Sequence, residues 1–165
     1  MRVTVNLTDK QLDKLDQLAK ARNKKSKRFG ACTYNSDQTG NDTHLIGLLG
    51  EFAVSQHFEV PLDETIYDNH GDVGADFVID GLGRAEVKTT TYYAEPLLRV
   101  PVDSISKKTD AYILCAVNKN NLKQVQIIGW LGTKKVIQAR QQKLSRYGPK
   151  NYIIAEESLK DIPLF

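Results

Sequence analysis

The sequence contains few of the side chains that build disulfide scaffolds, zinc sites or thiol redox centres. Its two cysteines, Cys32 and Cys115, are far apart and match no zinc or redox spacing, and its three histidines are not clustered. Both cysteines are therefore interpreted as ordinary core or surface thiols. A protein that depends on disulfides or on zinc is not expected.

Long apolar runs are also lacking. No segment approaches the roughly 18 apolar residues that cross a bilayer, and the N-terminal sequence MRVTVNLTDK does not have the basic and then apolar pattern of a secretion signal. We therefore expect no membrane partner and a cytoplasmic location. Internal repeats are not found either, and 165 residues fit one domain with its own hydrophobic core.

The charges are divided unevenly along the chain, although the net charge is only +3. Residues 31–106 carry thirteen Asp and Glu against three Lys and Arg, whereas residues 1–30 carry nine Lys and Arg against three Asp and Glu. Residues 107–165 are again basic, with eleven against four. An acidic centre between basic flanks is typical of an enzyme that holds a divalent cation and attracts a polyanion. Solvated charged surfaces explain the same composition equally well.

The N-terminal segment predicts a short extended start followed by a helix to about residue 22. Thr8 can cap this helix. The apolar residues that recur at helical spacing are Leu12, Leu15, Leu18 and Ala19. The cations between Arg22 and Arg28, followed by polar residues up to Asn41, predict a mobile basic loop.

A second helix is predicted from about residue 43 to residue 58. Its apolar face consists of Leu45, Leu48, Leu49, Phe52 and Ala53. Asn41 or Asp42 can cap its start. Gly47 and Gly50 each cost a helix up to about 1 kcal/mol relative to alanine, so we expect a sheet or a substrate to approach the backbone closely there.

Short strands surround these helices in the predicted fold. They are expected at 65–67, 75–79, 84–92, 111–117, 123–130 and 152–155, with a further helix at 133–144. Mixed helices and strands of this kind favour an α/β fold.

The segment DFVIDGLGRAEVKTT, which starts at Asp76, predicts a β-hairpin with a polar site on one face. Glu86 and Lys88 share a face because side chains alternate along a strand. Residues opposite one another in a hairpin point to the same face. A turn with an odd number of residues therefore places Asp76 beside Glu86 and Lys88, and a two-residue turn does not. Gly81 or Gly83 supplies the left-handed position that a three-residue turn requires.

With Asp76 on one strand and Glu86, Val87 and Lys88 on the next, the hairpin resembles the motif of the PD-(D/E)xK nuclease superfamily. This superfamily has the restriction-endonuclease-like fold. The proline of the motif is replaced here by Ala75, a replacement that is frequent among its members.

The resemblance covers roughly residues 43–130 and implies a single nuclease domain, with a central mixed β-sheet flanked by helices. Residues 1–42 would add an N-terminal helix and the basic loop to a catalytic core of residues 43–165. Many members place a glutamate from an upstream helix at the site, and Glu51 occupies the matching place. It would bind a second metal ion or orient water on the first. The alternative is an ordinary exposed helix residue.

The resemblance also implies the role of each motif residue. Asp76, Glu86 and the backbone carbonyl of Val87 would bind Mg²⁺ or Mn²⁺, which activates water and stabilises the charge that develops on a phosphate. Lys88 would orient or activate the attacking water. Two carboxylates with no nearby His or Cys also favour such oxygen-preferring ions over zinc. The alternative is a set of surface charges on a hairpin.

Nucleic acid, with DNA as the first expectation, is the predicted partner. Candidate contacts with its phosphates are Thr90, Lys107, Lys108, Lys134 and Lys135. Each of these lysines alone is more typical of a solvated surface. His44, two turns before Glu51, is interpreted as an exposed residue or as a phosphate contact. Tyr92, Tyr93 and Trp130 are assigned to packing rather than to base stacking.

The predicted activity is metal-dependent hydrolysis of phosphodiester bonds by a DNA endonuclease, which would form a homodimer if it cuts both strands. Two alternatives stay open: a Holliday-junction resolvase of the same superfamily, and a nucleic-acid-binding module that keeps the fold without catalysis. RNA cleavage is a third, because metal-assisted hydrolysis needs no 2′-hydroxyl.

Overall fold

The computed structural model describes residues 1–28, 40–66, 74–105 and 108–163, with residues 25–28, 40 and 41 described by their backbone alone. The strands are β1 (Val3–Asn6), β2 (Phe77–Ile79), β3 (Gly83–Thr90), β4 (Leu97–Pro101), β5 (Ala111–Asn118), β6 (Asn121–Gly132), β7 (Gln141–Lys143) and β8 (Lys150–Ala155). The helices are α1 (Asp9–Arg28), α2 (Gly40–Phe58) and α3 (Thr133–Val136). The predicted mixed α/β class is confirmed.

A five-stranded mixed sheet forms the centre of the molecule, in the order β1-β6-β5-β3-β2. Strands β3 and β5 run parallel, and the other neighbours are antiparallel. The sequence of β5, AYILCAVN, is apolar up to its last residue, and its first seven side chains are buried. Such a continuous apolar run is typical of a strand that is covered on both faces.

The two faces of this sheet are covered by different layers. Helices α1 and α2 share one hydrophobic cluster with Ala85, Ile113 and Ile127. On the other face, Tyr112 and Leu114 of β5 pack with the second sheet, whose order is β4-β8-β7. The prediction of helices flanking the sheet therefore holds for one face, while a second sheet covers the other.

Helix α1 begins with the predicted cap. The Gln11 amide donates to Thr8 Oγ1 at 3.2 Å, and the Thr8 amide donates to Gln11 Oε1 at 2.8 Å, which is a capping box. The helix continues to Arg28, so the prediction of a basic loop from Arg22 was wrong for residues 22–28. Lysine and arginine are good helix formers, and their charge did not end the helix. Of the rest of that predicted loop, residues 29–39 lie outside the described residues, and residues 40 and 41 belong to α2. Asn41 and Asp42 therefore lie inside α2 and not at its cap.

Helix α2 buries the predicted apolar face, and its two glycines differ in their surroundings. A Cβ atom on Gly50 would lie 2.0 Å from Thr89 Oγ1, which confirms the expected close approach of the sheet. A Cβ atom on Gly47 would meet nothing within 4 Å, so the protein itself makes no such approach there.

Two predicted elements were wrong, and two strands, β4 and β7, were not predicted. The helix predicted at 133–144 ends at Val136, and Gln141–Lys143 form β7 instead. Val136 is buried whereas Ile137 and Leu144 are exposed, so this segment has no apolar stripe to hold a long helix on the core. Residues 65 and 66 are not in a strand, residue 67 lies outside the described residues, and β4 was not predicted.

None of the helices in the described part of the chain combines the length and the hydropathy needed to cross a membrane.

Candidate functional site

The hairpin of β2 and β3 has the predicted odd turn. Ile79 pairs with Gly83, which leaves three residues, Asp80, Gly81 and Leu82, in the turn. Gly81 and Gly83 have φ angles of 74° and 76°, in the left-handed region that glycine adopts without steric cost. Extending the observed register by one pair places residue 76 opposite residue 86 on one face of the hairpin.

Strand β2 pairs with the outer edge of β3, and the Asp76 carboxylate makes the next hydrogen bond along that edge, beyond the end of β2. Its Oδ2 atom accepts a hydrogen bond of 2.6 Å from the Val87 amide. The N–H and C=O groups of one strand residue point to the same edge, so the Val87 carbonyl is directed to the side of β3 on which Asp76 lies. A carboxylate and a main-chain carbonyl therefore converge at the edge of β3.

Glu86 and Lys88 lie on the face of β3 that is turned away from α2. They form an ion pair, with side chains 19% and 28% exposed. The Thr109 hydroxyl lies 3.5 Å from the other carboxylate oxygen of Glu86, and Thr109 itself is buried. Glu86 is thus held between a lysine of its own strand and a hydroxyl from the segment before β5.

An arginine and an aspartate fix the hairpin to the neighbouring strand. Asp110 Oδ2 accepts hydrogen bonds of 2.9 Å from both the backbone amide and Nε of Arg84. Hydrogen bonds from the Arg84 side chain and, second in size, from the Arg84 amide together lower the pKa of Asp110 to about 2. The Asp110 amide also donates to the Arg84 carbonyl at 2.8 Å. These contacts set the position of β3 against β5 two residues before Glu86.

Glu51 lies in the helix layer, on the other side of the sheet from Glu86. Its Oε2 atom is 3.9 Å from Nη1 of Arg22. The Nη2 atom of the same arginine donates to the Asp63 carbonyl at 2.8 Å. His44 is partly buried rather than fully exposed. Burial lowers the pKa of His44, and the positive charge of Arg22 lowers it further.

A bound metal ion would need several donor groups close to one another. Within residues 1–28, 40–66, 74–105 and 108–163, no group of three or more His, Cys, Asp or Glu side chains could hold a metal. Glu51 therefore does not form a three-carboxylate cluster with Asp76 and Glu86 in this conformation. The two carboxylates and the Val87 carbonyl are all oxygen donors, which fits Mg²⁺ or Mn²⁺ better than zinc.

The predicted nucleic-acid contacts are scattered. Lys107 lies outside the described residues, Lys108 is exposed, and Lys134 and Lys135 are exposed on α3. Thr90 lies on β3 two residues after Lys88, where its hydroxyl accepts a hydrogen bond of 3.1 Å from the Tyr92 amide. Of the predicted contacts, Thr90 is the one that shares a cleft with Lys88.

Several residues of the site were not predicted from the sequence. Tyr92 was assigned to packing, but its side chain is 61% exposed and the guanidinium of Arg99 lies over its ring. Thr109 and Asp110 contact the hairpin only because β3 and β5 are neighbours, and their types carry no motif. Arg99 did offer a signal, because it is one of only three cations between residues 31 and 106.

No known protein family, no curated protein and no solved structure matches this chain.

Proposed function

We propose that the chain is a metal-dependent nuclease that hydrolyses phosphodiester bonds, with DNA as its substrate and internal bonds as its target. The observation that carries this proposal is the arrangement at the edge of β3. The Asp76 carboxylate lies 2.6 Å from the Val87 amide nitrogen at the edge of β3, and Glu86 and Lys88 form an ion pair on one face of that strand. Two carboxylates, a main-chain carbonyl and an ammonium are the groups that metal-assisted hydrolysis of a phosphodiester uses.

Asp76, Glu86 and the carbonyl of Val87 would hold the Mg²⁺ or Mn²⁺ ion. Such an ion, when bound, lowers the pKa of a water molecule and offsets the negative charge that the phosphate gains in the transition state. Glu51 has no role in the proposed mechanism, because it lies in the helix layer, where it pairs with Arg22.

Lys88 is assigned to the attacking water and the phosphate. A lysine ammonium has three donors and no acceptor, so it can orient the oxygen of a water or hold a phosphate oxygen. Glu86 keeps this ammonium beside the site in the free protein. In the reaction, the water oxygen bonds to phosphorus and gives up one proton to solvent. The bond from phosphorus to one sugar oxygen breaks, and that oxygen takes up a proton from solvent. One product end carries the phosphate and the other a hydroxyl.

The proposal is tested by incubating the wild type and Lys88→Met with duplex, branched and single-stranded DNA and with RNA, in Mg²⁺, Mn²⁺ or EDTA. Loss of a positioned group is expected to slow cutting by about a hundredfold or more. Lys119→Met, a change of an exposed lysine in the turn between β5 and β6, is the matched control and should cut normally. Cutting in EDTA, or full activity of Lys88→Met, would contradict the mechanism.

The pattern of substrates separates the alternatives. Preference for branched DNA would identify a junction resolvase, and cutting of RNA alone would change the substrate. Tight binding of nucleic acid without any cutting would indicate that the chain is a nucleic-acid-binding module and not an enzyme.

Metal binding is tested separately from cutting. Calorimetric titration with Mn²⁺ should show one site in the wild type and much weaker binding in Asp76→Asn and Glu86→Gln, because each change removes a charged oxygen ligand. Asp103→Asn alters an exposed carboxylate elsewhere and should bind as the wild type does. Equal binding by all four proteins would refute the proposed ligands.

A further inference from the structure

A cleft of about 310 Å³ opens at the end of β3, beside Lys88. Its lining includes Gly47 of α2, Thr90 of β3 and Arg99 of β4. Asp76 and Glu86 are not among the residues that line it. The volume is at the lower end of the range for ligand sites, roughly 300–1,000 Å³. The cleft therefore adjoins the proposed active site without being part of it.

Arg99 gives the cleft its positive charge. It alternates along β4 with Leu98 and Val100, which are buried in the cluster that contains Tyr112 and Leu114. The Arg99 side chain therefore points away from that cluster. Its guanidinium carbon lies 4.8 Å from the centroid of the Tyr92 ring, which is a cation–π contact. Tyr92 and Arg99 both line the cleft, so this contact fixes the guanidinium beside it.

In the described part of the chain, no carboxylate pairs with Arg99, and its Nε atom is buried without a hydrogen-bond partner. A partly buried charge with no partner is costly, and a guanidinium is shaped to bind the oxygens of a phosphate. An anionic ligand bound to the Arg99 guanidinium would offset this free-energy cost of burying the charge.

The distribution of charge supports the same interpretation. Between residues 31 and 106 the chain has only three cations, Arg84, Lys88 and Arg99. Arg84 is bound by Asp110 and Lys88 is paired with Glu86, and both Lys88 and Arg99 line one cleft. Two of the three cations of a strongly acidic region therefore lie around one space large enough for a ligand.

We propose that this cleft binds the phosphate of a nucleotide next to the cleaved bond, with Arg99 as its main ligand and Tyr92 as the residue that positions Arg99. The inference rests on the proposed function for the identity of the ligand. Thr90 accepts a hydrogen bond from the Tyr92 amide, so its own hydroxyl hydrogen is free to donate to a phosphate oxygen. Lys88 and Thr90 are about 7 Å apart along β3. The phosphate of the cleaved bond, at Lys88, and the neighbouring phosphate, at Thr90, would therefore lie along this strand.

The test measures binding of a fluorescently labelled DNA duplex and of its single strand in EDTA, where no cutting takes place. Arg99→Gln is expected to weaken binding of at least one of them about tenfold or more, as for loss of a charged hydrogen bond. It should also reduce the dependence of log affinity on log salt by about one, the change expected when one phosphate contact is lost. Arg99→Lys keeps the charge and should retain the salt dependence.

Arg146→Gln is the matched control. Arg146 also lies over a tyrosine ring, that of Tyr147, at 5.5 Å, but it does not line the cleft. Tyr92→Leu should reproduce part of the loss because it frees Arg99, while Tyr92→Phe keeps an aromatic face and should bind as the wild type does. Gly47→Leu should narrow the cleft and weaken binding; its Cβ atom would meet no other atom within 4 Å.

The outcomes for the cleft and for the nuclease are separable. Binding that depends on Arg99 but not on Arg146, in a protein that cuts nothing, supports the cleft and rejects the nuclease. Normal cutting with equal binding by wild type and Arg99→Gln overturns the cleft alone. Equal losses in Arg99→Gln and Arg146→Gln also overturn it, since they indicate attraction by net charge rather than by a built subsite. No binding of either DNA by the wild type in EDTA overturns it as well.

Discussion

Replacing Gly50 by alanine tests how closely α2 is seated on the strand that carries the candidate site. The added Cβ atom would lie 2.0 Å from Thr89 Oγ1, and 3.1 Å and 3.2 Å from the Cβ atoms of Thr89 and Cys115. None of these atoms is at the end of a long flexible side chain, so either the helix or β3 has to move. Gly47→Ala is the natural comparison, because its Cβ atom meets nothing within 4 Å.

The difference between the two variants isolates the packing energy. Both changes gain about 1 kcal/mol of helix propensity, which cancels in the comparison. Overpacking at residue 50 costs about 1–3 kcal/mol. For a chain of this length, 1 kcal/mol shifts the melting temperature by about 2–4 °C. Gly47→Ala should therefore melt above the wild type, and Gly50→Ala about 2–12 °C below Gly47→Ala.

Differential scanning calorimetry measures this difference, and a double-mutant cycle locates its cause. Thr89→Ala removes the Oγ1 atom that lies nearest to the new methyl group. In that background, Gly50→Ala should cost less, with a coupling of at least about 0.5 kcal/mol. Equal melting temperatures for Gly47→Ala and Gly50→Ala would show that α2 does not pack on β3 at this distance.

Three further predictions follow from contacts of the hairpin and of α1. Because Arg84 holds the pKa of Asp110 at about 2, below its ordinary value of 3.8, the carboxylate stabilises the fold above pH 4 and this contribution is lost as the pH falls toward 2. Asp110→Asn should therefore make the melting temperature less sensitive to pH in that interval, and an unchanged acid profile would contradict the assignment. Inserting one glycine after Gly81 should turn Asp76 to the other face and weaken Mn²⁺ binding, whereas inserting two should restore it; equal titrations would refute the parity argument. Thr8→Ala should cost about 0.5–2 kcal/mol in urea unfolding because it removes the cap of α1, while Thr8→Ser should retain stability. A Thr8→Ala protein as stable as the wild type would mean that the cap contributes nothing.

The part of the site that could be predicted depends on local rules. Alternation along a strand put Glu86 and Lys88 on one face, and the two glycines predicted the odd number of residues in the turn between β2 and β3. Both rules involve only neighbouring residues and a single hairpin, so they need no knowledge of the rest of the fold. The cap at Thr8 and the apolar face of α2 were predictable for the same reason.

The remaining features depend on contacts between distant segments. The approach of Thr109 to Glu86 requires parallel pairing of β3 with β5. This pairing cannot be predicted from the residue types in the two strands. Strand β4 is only five residues long and ends in a proline, so its pattern was too short to recognise. Arg99 gained a role only because that strand lies beside the end of β3.

The early end of β2 has a consequence for how the protein associates with other chains. Beyond Ala85, no strand of the described residues pairs with the outer edge of β3, and an open edge of this kind is a template onto which a strand of another molecule can add. The carboxylate of Asp76 takes up the Val87 donor that such a strand would need, and Glu86 and Lys88 place charges next to it. These three residues would thus hinder the addition of such a strand at this edge. An Asp76→Leu protein should therefore be less soluble than the wild type.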